Sequence, residues 1–454
     1  MSPTAAARKA RIVCLALGTR GDVQPVCLLA RDLMRRGHSV TFITSRDYLP
    51  LALSLGVRAS IVDVDFESTI RFHKFNDVYY DEKGSLWRKI NVIKDVARDI
   101  EGKFYDLLMY SFRMLRYFDL VIYNPFAFFA GQIAEELNIP AVRVSCQPLL
   151  PTRSMELSAF GGRNRGAVLN RLSYETLRVL AFLFQRSLRK FRASFGVGRR
   201  FRAWMNPLNA DLRFATQILA YSPHLSPDPG DYPVPTTTTG YWFHEAEADE
   251  TLPDDIMAFL EGGDPALYIG FGSMFWGAQR NTEVVLKALA LWGGRAIVAT
   301  GTGSLKPMTA SPNVMIVPSA KHALLFPHVA GAVHHGGAGT TAQALRCGLP
   351  SVILPVLGDQ FYWGRRVAAV GAGPEPVPLR RIEPEALARM MADLTSHAPY
   401  REAARHLAAV LADEPGLPAA VARIELCLAE TAGRWQIRPR AQPGLGAADL
   451  RQAE

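Results

Sequence analysis

The chain has 454 residues, more than one hydrophobic core ordinarily supports, so two domains are expected. With 49% hydrophobic and 20% charged residues it is neither a disordered chain nor a repeat array, and no fixed-period repeat is visible. The formal charge of +9 gathers in Arg186 to Arg202, a local basic patch without any usual nucleic-acid recognition motif, which excludes a dedicated nucleic-acid binder.

In chain order, Arg11 to Leu17 (RIVCLAL) is a short apolar run that flows into Gly-Thr-Arg-Gly-Asp without a cleavage site, so it reads as a first core strand and not a leader. Val26 to Arg36 reads as a helix, Ser39 to Thr44 as the next strand and Asp119 to Asn124 as a later one. Strand, helix and strand in this rhythm predict a parallel sheet with right-handed crossovers. Between them, Phe66 to Leu115 and Ser154 to Trp204 are longer helical or irregular excursions rich in Phe, Tyr, Leu and Arg. No uninterrupted apolar stretch reaches membrane-spanning length.

Tyr221 to Trp242 is dense in Pro, Gly and Thr, uncomfortable for a helix or a strand interior, and marks the domain boundary. The rhythm then restarts with Ala266 to Ser273, Arg295 to Gly301, Val314 to Ser319, Gly331 to His335 and Ser351 to Val356. The expected organisation is α/β, two doubly wound parallel-sheet domains facing a central cleft. The first covers residues 1–222, a linker 223–243 and the second 244–415; a helix over 416–432 packs back on the first domain, and 433–454 form a loose tail. Five cysteines, odd in number and without a CxxC pair, suggest neither a disulfide framework nor a zinc site, which fits a reducing cytoplasm.

The densest chemistry lies between Val333 and Gln360, VHHGGAGTTAQALRCGLPSVILPVLGDQ. Ligands of parallel sheets sit at the carboxyl ends of strands, where helix N-termini point into the crevice. Gly336, Gly337 and Gly339 permit close approach of the backbone, while Gly339, Thr340 and Thr341 present N–H groups and hydroxyls at the positive end of a helix dipole. That pattern suits a phosphate, to which His335 can also donate. Asp359 and Gln360 close the next strand; a carboxylate beside an amide suits vicinal hydroxyls. Phosphate and polyol together read as a nucleotide sugar.

The segments HHGGAGTT, GLPSVILPVLGDQFYWGRRV and, near the N-terminus, GTRGDVQP resemble the two-Rossmann-domain (GT-B fold) glycosyltransferases that include sterol 3-beta-glucosyltransferases and bacterial glycopeptide, macrolide and rhamnolipid glycosyltransferases. The similarity runs from about Arg11 to about Leu428. The resemblance implies donor-diphosphate contacts at Ser273, His335, Gly339 and Thr340, with sugar-hydroxyl contacts at Asp359 and Gln360. Where many relatives that use UDP-glucose carry a ribose-binding glutamate, this chain has Gln343, which leaves UDP and dTDP both open. The aromatic-Pro-Gln segment of plant members is replaced by VPSAKHALLFP.

Sugar transfer with inversion needs a base, a fixed line of attack and a stabilised diphosphate leaving group. Asp22 is the expected base, where plant relatives carry a histidine; the position of that histidine's partner holds Asn124. An aspartate near its reference pKa of about 3.9 is a weak base, so burial has to raise it. Asp22 also reads as a helix cap, and the two roles are compatible only if one oxygen stays free. Arg20 either reaches the diphosphate or makes a surface ion pair. His334, His322 and His328 read as packing residues, and Tyr362 and Trp363 as pocket wall or sheet packing.

No cofactor and no metal are expected. Asp63-Val64-Asp65 has the letters of a metal-binding DxD but lies far in sequence from the phosphate loop. LGTRGD is not a GxGxxG fingerprint, which argues against a nicotinamide dehydrogenase. A UDP-sugar 2-epimerase or a non-catalytic nucleotide-sugar binder or activator remain the alternatives. The expected acceptor is an apolar small molecule: a sterol, lipid, polyketide or lipopeptide. Arg186 to Arg202 either contacts anionic lipid transiently at the inner face of a membrane or is simply solvated. The expected state is a cytoplasmic monomer or weak dimer.

Overall fold

The fold is that of a computed structural model describing residues 9–62, 101, 103–177, 185–195, 212–245, 249–272, 277–301 and 303–432. Strands β1 (Arg11–Leu15), β2 (Ser39–Ser45), β3 (Ala59–Val62), β4 (Leu120–Tyr123), β5 (Ala141–Ser145), β6 (Thr216–Leu219) and β7 (Thr236–Thr238) form a seven-stranded sheet in the order β3-β2-β1-β4-β5-β6-β7. Strands β8 (Leu267–Gly270), β9 (Ala296–Ala299), β10 (Val314–Val317), β11 (Gly331–His334) and β12 (Ser351–Ile353) form a second sheet in the order β10-β9-β8-β11-β12. The pairings in both are parallel. The order reverses between β1 and β4 in the first sheet and between β8 and β11 in the second. Those two reversals are where crossovers leave on opposite faces and open a crevice.

The central strands β1, β4, β8 and β9 read as apolar runs because both faces are covered. Ile12 and Cys14 of β1 face a core shared with Val26 and Leu29 of the helix Arg20–Arg35, whereas Val13 and Leu15 face Phe104, Phe129 and Phe191. The second domain repeats this: Leu267 and Ile269 of β8 join one cluster and Tyr268 the other. The helix Gly416–Ala432 returns to the first domain, setting Leu417, Ala420, Val421 and Ile424 into the cluster that holds Ile12.

Three local expectations change. The first helix begins at Arg20, ahead of the expected Val26, and carries Pro25 inside it. The cap described below secures its first turn. Second, Thr236–Thr238 of the Pro- and Thr-rich boundary is strand β7, at the edge of the first sheet. An edge strand pairs on one side only, and β-branched threonines suit it. Third, the basic helix Gln185–Phe195 buries Leu188 and Phe191 against the first domain while Arg186, Arg189 and Lys190 are exposed. Its apolar side is thus committed to the protein's own core. The remainder of the basic stretch, Asp63-Val64-Asp65 and the expected tail lie outside the described residues. No helix among the described residues is long and apolar enough to cross a membrane.

A further apolar cluster joins the two domains. Leu150, Leu219, Tyr221 and Leu225 pack with Ile353, Tyr362, Trp363 and Leu411. The helix Gln360–Ala369 is the centre of this junction: Tyr362 shares a 2.6 Å hydrogen bond with Ser226, and Arg365 Nε donates to Gly161 O at 2.8 Å. A Cβ on Gly162 would fall 2.2 Å from the Tyr362 ring, so glycine is required for that approach.

Candidate active site

The carboxyl end of β1 leads into Gly18, Thr19 and Asp22, and the neighbouring end of β4 into Asn124, so both lie at the reversal of the first sheet. Thr19 caps the helix Arg20–Arg35, with Asp22 in its first turn. Asp22 Oδ2 accepts from the Thr19 N–H at 2.9 Å and from its hydroxyl at 2.8 Å. The capping contact therefore uses one oxygen and leaves the other, Oδ1, without a hydrogen bond among the described residues. Gly18 adopts φ +113°, and a Cβ there would lie 2.8 Å from Asp22 Oδ2 and 3.0 Å from the Phe126 ring.

Asn124 does not touch the carboxylate. Its side chain brackets the Leu17 peptide, donating to Leu17 O at 2.6 Å and accepting from Leu17 N–H at 3.2 Å, and it reaches Asp22 O at 3.3 Å. It is a buried staple that holds the loop ends of β1 and β4 together. Burial pushes the Asp22 carboxyl up to about 7, against the lowering effect of the Thr19 hydrogen bonds, and the negative charge of Asp359 adds to the rise. Asp359 belongs to the second domain, so the two carboxylates face each other across the cleft. Cys146, after β5, feels both charges, and burial together with them raises its thiol far above the usual range.

Opposite, the carboxyl ends of β8 and β11 lie at the reversal of the second sheet. β11 ends in His334, and the glycines that follow start the helix Ala338–Arg346 with Gly337 at its cap. His335 is wedged between Gly272 and Gly337: a Cβ on either would come within 3.1 Å or 2.6 Å of its ring. Burial lowers its pKa to about 4, so the ring is neutral near pH 7 and donates from one nitrogen only. Its Nδ1 is buried without a hydrogen-bond partner among the described residues. Gly339 is exposed, Thr340 half-buried, and a Cβ on Gly339 would meet nothing within 4 Å. The first turn of this helix therefore carries N–H groups without partners inside the helix, at the positive end of its dipole.

Thr341 departs from the expectation. It is fully buried and its hydroxyl donates to Gly337 O at 3.0 Å, because the fourth residue past the cap turns back under the helix. Gln360 is also buried, and its Oε1 accepts the N–H groups of Val356 and Leu357 at 2.8 and 3.1 Å, fastening the loop after β12. Asp359, half-buried, accepts from Trp363 Nε1 at 2.7 Å; burial lifts its carboxyl to about 6 despite that bond. Tyr362 and Trp363 prove to be packing residues of the domain junction. Arg20 is exposed and bonded to Gln24 at 2.9 Å; desolvation chiefly, with the charges of His335 and Arg20, lowers the pKa of half-buried His322 in the second domain to about 4. His322 bonds the Tyr268 hydroxyl at 3.0 Å and stacks on Phe326, and His334 is buried with Nδ1 accepting the Gly336 N–H at 3.1 Å. Ser273 lies outside the described residues.

Two residues beside Asp22 were not singled out from the sequence. Thr19 fixes Asp22, and its signal was the threonine three positions ahead of an acid at a helix start. Phe126, exposed beside Gly18, stands next to the Asp22 loop while its neighbours Phe128 and Phe129 pack into the core.

Two parallel-sheet domains meeting at a cleft, with an acid on one rim and a glycine-started helix on the other, define a GT-B architecture. Residues 12–154 match the glycosyltransferase family 28 N-terminal domain, and residues 283–428 match the erythromycin biosynthesis protein CIII-like, C-terminal domain. Each domain is thus similar to a glycosyltransferase-related family domain, and the fold is that of the GT-B glycosyltransferases. Among curated relatives, a sterol 3-beta-glucosyltransferase of Neosartorya fischeri is 30% identical over 92% of this chain and 29% of its own length. One from Arabidopsis thaliana is 29% identical over 90% of this chain and 64% of its own length. The chain thus spans about 30% of the fungal relatives it matches. Among solved structures, the glycotransferase of kitacinnamycin superposes with a TM-score of 0.67 at 17% identity, covering 92% of this chain and 99% of that one. VinC in complex with dTDP gives 0.60 at 20% identity, covering 92% and 100%. At these identities the structures attest the fold.

Proposed function

We propose that the chain is an inverting, metal-independent glycosyltransferase that moves a hexose, deoxyhexose or pentose from a UDP- or dTDP-sugar to a hydroxyl of an apolar acceptor. The observation that carries the reading is Asp22: one oxygen held by Thr19, the other unengaged, and the carboxyl lifted to about 7 opposite the glycine-started helix. In this reading Asp22 takes the acceptor proton while the acceptor oxygen attacks the anomeric carbon from the face away from the diphosphate. The sugar–phosphate bond breaks, and the nucleoside diphosphate leaves with the electron pair. Its growing charge is met by the N–H groups at Gly339 and Thr340, by His335 and by Arg20. Asp359 accepts from sugar hydroxyls.

An apolar acceptor is supported by the exposed Phe126 beside the base and by relatives named for sterols. A nucleoside-diphosphate donor is supported by the dTDP complex of VinC. The test uses the purified chain, EDTA, UDP- and dTDP-sugars and a panel of sterol and polyketide acceptors, with the anomeric configuration of the product read by NMR. Asp22→Asn is expected to lose about 10²- to 10⁴-fold in kcat while calorimetric donor affinity persists. Full activity in Asp22→Asn removes the base assignment, a product of retained configuration removes inversion, and strict dependence on added metal removes metal independence.

A further inference from the structure

The loop running from β5 towards the second domain presents a face that the proposed reaction does not use. Phe160, Val168, Leu169 and Leu172 are between 53% and 72% exposed. On the short helix Ala167–Ser173, Val168 and Leu172 lie one turn apart with Leu169 beside them, so the apolar stripe points outward while Asn170 is fully buried on the other side. Arg163, Arg165 and Arg171 are exposed around it. Arg165 pairs with Glu156; Arg163 and Arg171 have no ion pair among the described residues.

The stripe is held out by a satisfied polar network. Asn170 Nδ2 donates to Arg153 O at 2.7 Å and to Asn164 Oδ1 at 2.9 Å, and its Oδ1 accepts from the Arg165 N–H at 2.8 Å. Ser173 Oγ accepts from the Leu157 N–H at 2.8 Å. An apolar stripe displayed this way and rimmed by charge marks a docking surface.

We propose that this face docks on an anionic lipid surface, the stripe entering the boundary between headgroups and acyl chains while Arg163 and Arg171 meet headgroup phosphates. Charge selects this occupant: a second copy of the chain would set arginine against arginine. The basic helix Gln185–Phe195 can add attraction through exposed Arg186, but its Leu188 and Phe191 are buried, so insertion belongs to the loop. The same loop accepts Arg365 at Gly161 O, beside the helix that starts at Gln360, so docking brings the edge of the cleft to the lipid. Use of that contact for taking up an apolar acceptor rests on the proposed function; the docking itself does not.

The experiment is vesicle flotation of the full chain with phosphatidylcholine alone and with phosphatidylcholine carrying phosphatidylglycerol. The protein is expected to float only with the anionic vesicles. Leu169→Asp/Leu172→Asp and Arg163→Gln/Arg171→Gln are each expected to weaken that binding about ten-fold or more. All four positions are exposed, and an unchanged melting temperature shows that the variants remain folded. Indifference of the wild type to anionic vesicles at low salt, or equal binding by both variants, overturns the proposal. So does a dimer in sedimentation that the same substitutions dissolve while vesicles are ignored, which assigns the face to a second copy. Failure to transfer sugar to a water-soluble acceptor counts against the catalytic reading alone.

Discussion

Asp22 joins two demands that usually compete, because its carboxylate takes part in a helix cap and, in the proposed reaction, takes the acceptor proton. The rate should report this directly: with the carboxyl near 7, kcat/KM for transfer is expected to rise with pH through about 7 and then level off. An acid limb near 4 would show that the carboxyl is solvated as in a free aspartate. Stability should run the other way. Between pH 3.8, the ordinary value, and about 7, the folded chain keeps a proton that the unfolded chain has released, so stability falls as pH rises through that window. Asp22→Asn removes the cost of the buried charge and keeps an oxygen for the Thr19 N–H. It is expected to be more stable than wild type at pH 8 by about 1–2 kcal/mol after discounting for partial exposure, with the difference gone below pH 4. Denaturant melts at the two pH values check it; a less stable variant at pH 8 would mean that capping outweighs desolvation. Asp22 itself was legible from GTRGD, but the staple made by Asn124 was not, since it depends on β1 and β4 being neighbours across more than a hundred residues of chain.

The elements were legible wherever a buried strand is also an unbroken apolar run. β1, β2, β4 and β8 to β12 stand out as apolar runs, whereas β3 is only partly buried, and β5 and β6 interrupt their runs with Arg143 and Gln217. The helix Ala338–Arg346 shows the same division. Its glycine start was plain in HHGGAGTT, but which hydroxyl turns inward depends on helical phase, and that places Thr341 under the cap. Gly339 offers a clean test of what that helix holds. Among the described residues a Cβ there meets no atom beyond its own helix and chain neighbours within 4 Å, and alanine suits a helix better than glycine by roughly 0.5–1 kcal/mol. Gly339→Ala is therefore expected to keep or slightly raise the melting temperature while weakening calorimetric donor affinity about ten-fold or more. Wild-type affinity in a folded variant would move the diphosphate away from this helix.

At the scale of the molecule, the domains share one core and do not merely touch. Trp363 is fully buried between Tyr221 and Tyr241, and it also donates the hydrogen bond that positions Asp359. The chain then crosses back, with the Gly416 N–H bonded to Thr239 O at 2.7 Å and the last described helix set into the first core. Opening either domain exposes apolar surface of the other, so heating is expected to give one calorimetric transition instead of two. A nucleotide sugar at a hundred times its Kd should then stabilise the whole unit by about 2.7 kcal/mol and move that single transition, although its proposed phosphate contacts lie mainly in the second domain. Trp363→Ala removes the centre of the junction, at a cost of about 3–5 kcal/mol, and is expected to split the transition, with the donor then shifting only the second-domain part. Two transitions in the wild-type protein, with the donor moving only one, would show that the cluster around Trp363 holds the domains in place without coupling their stability.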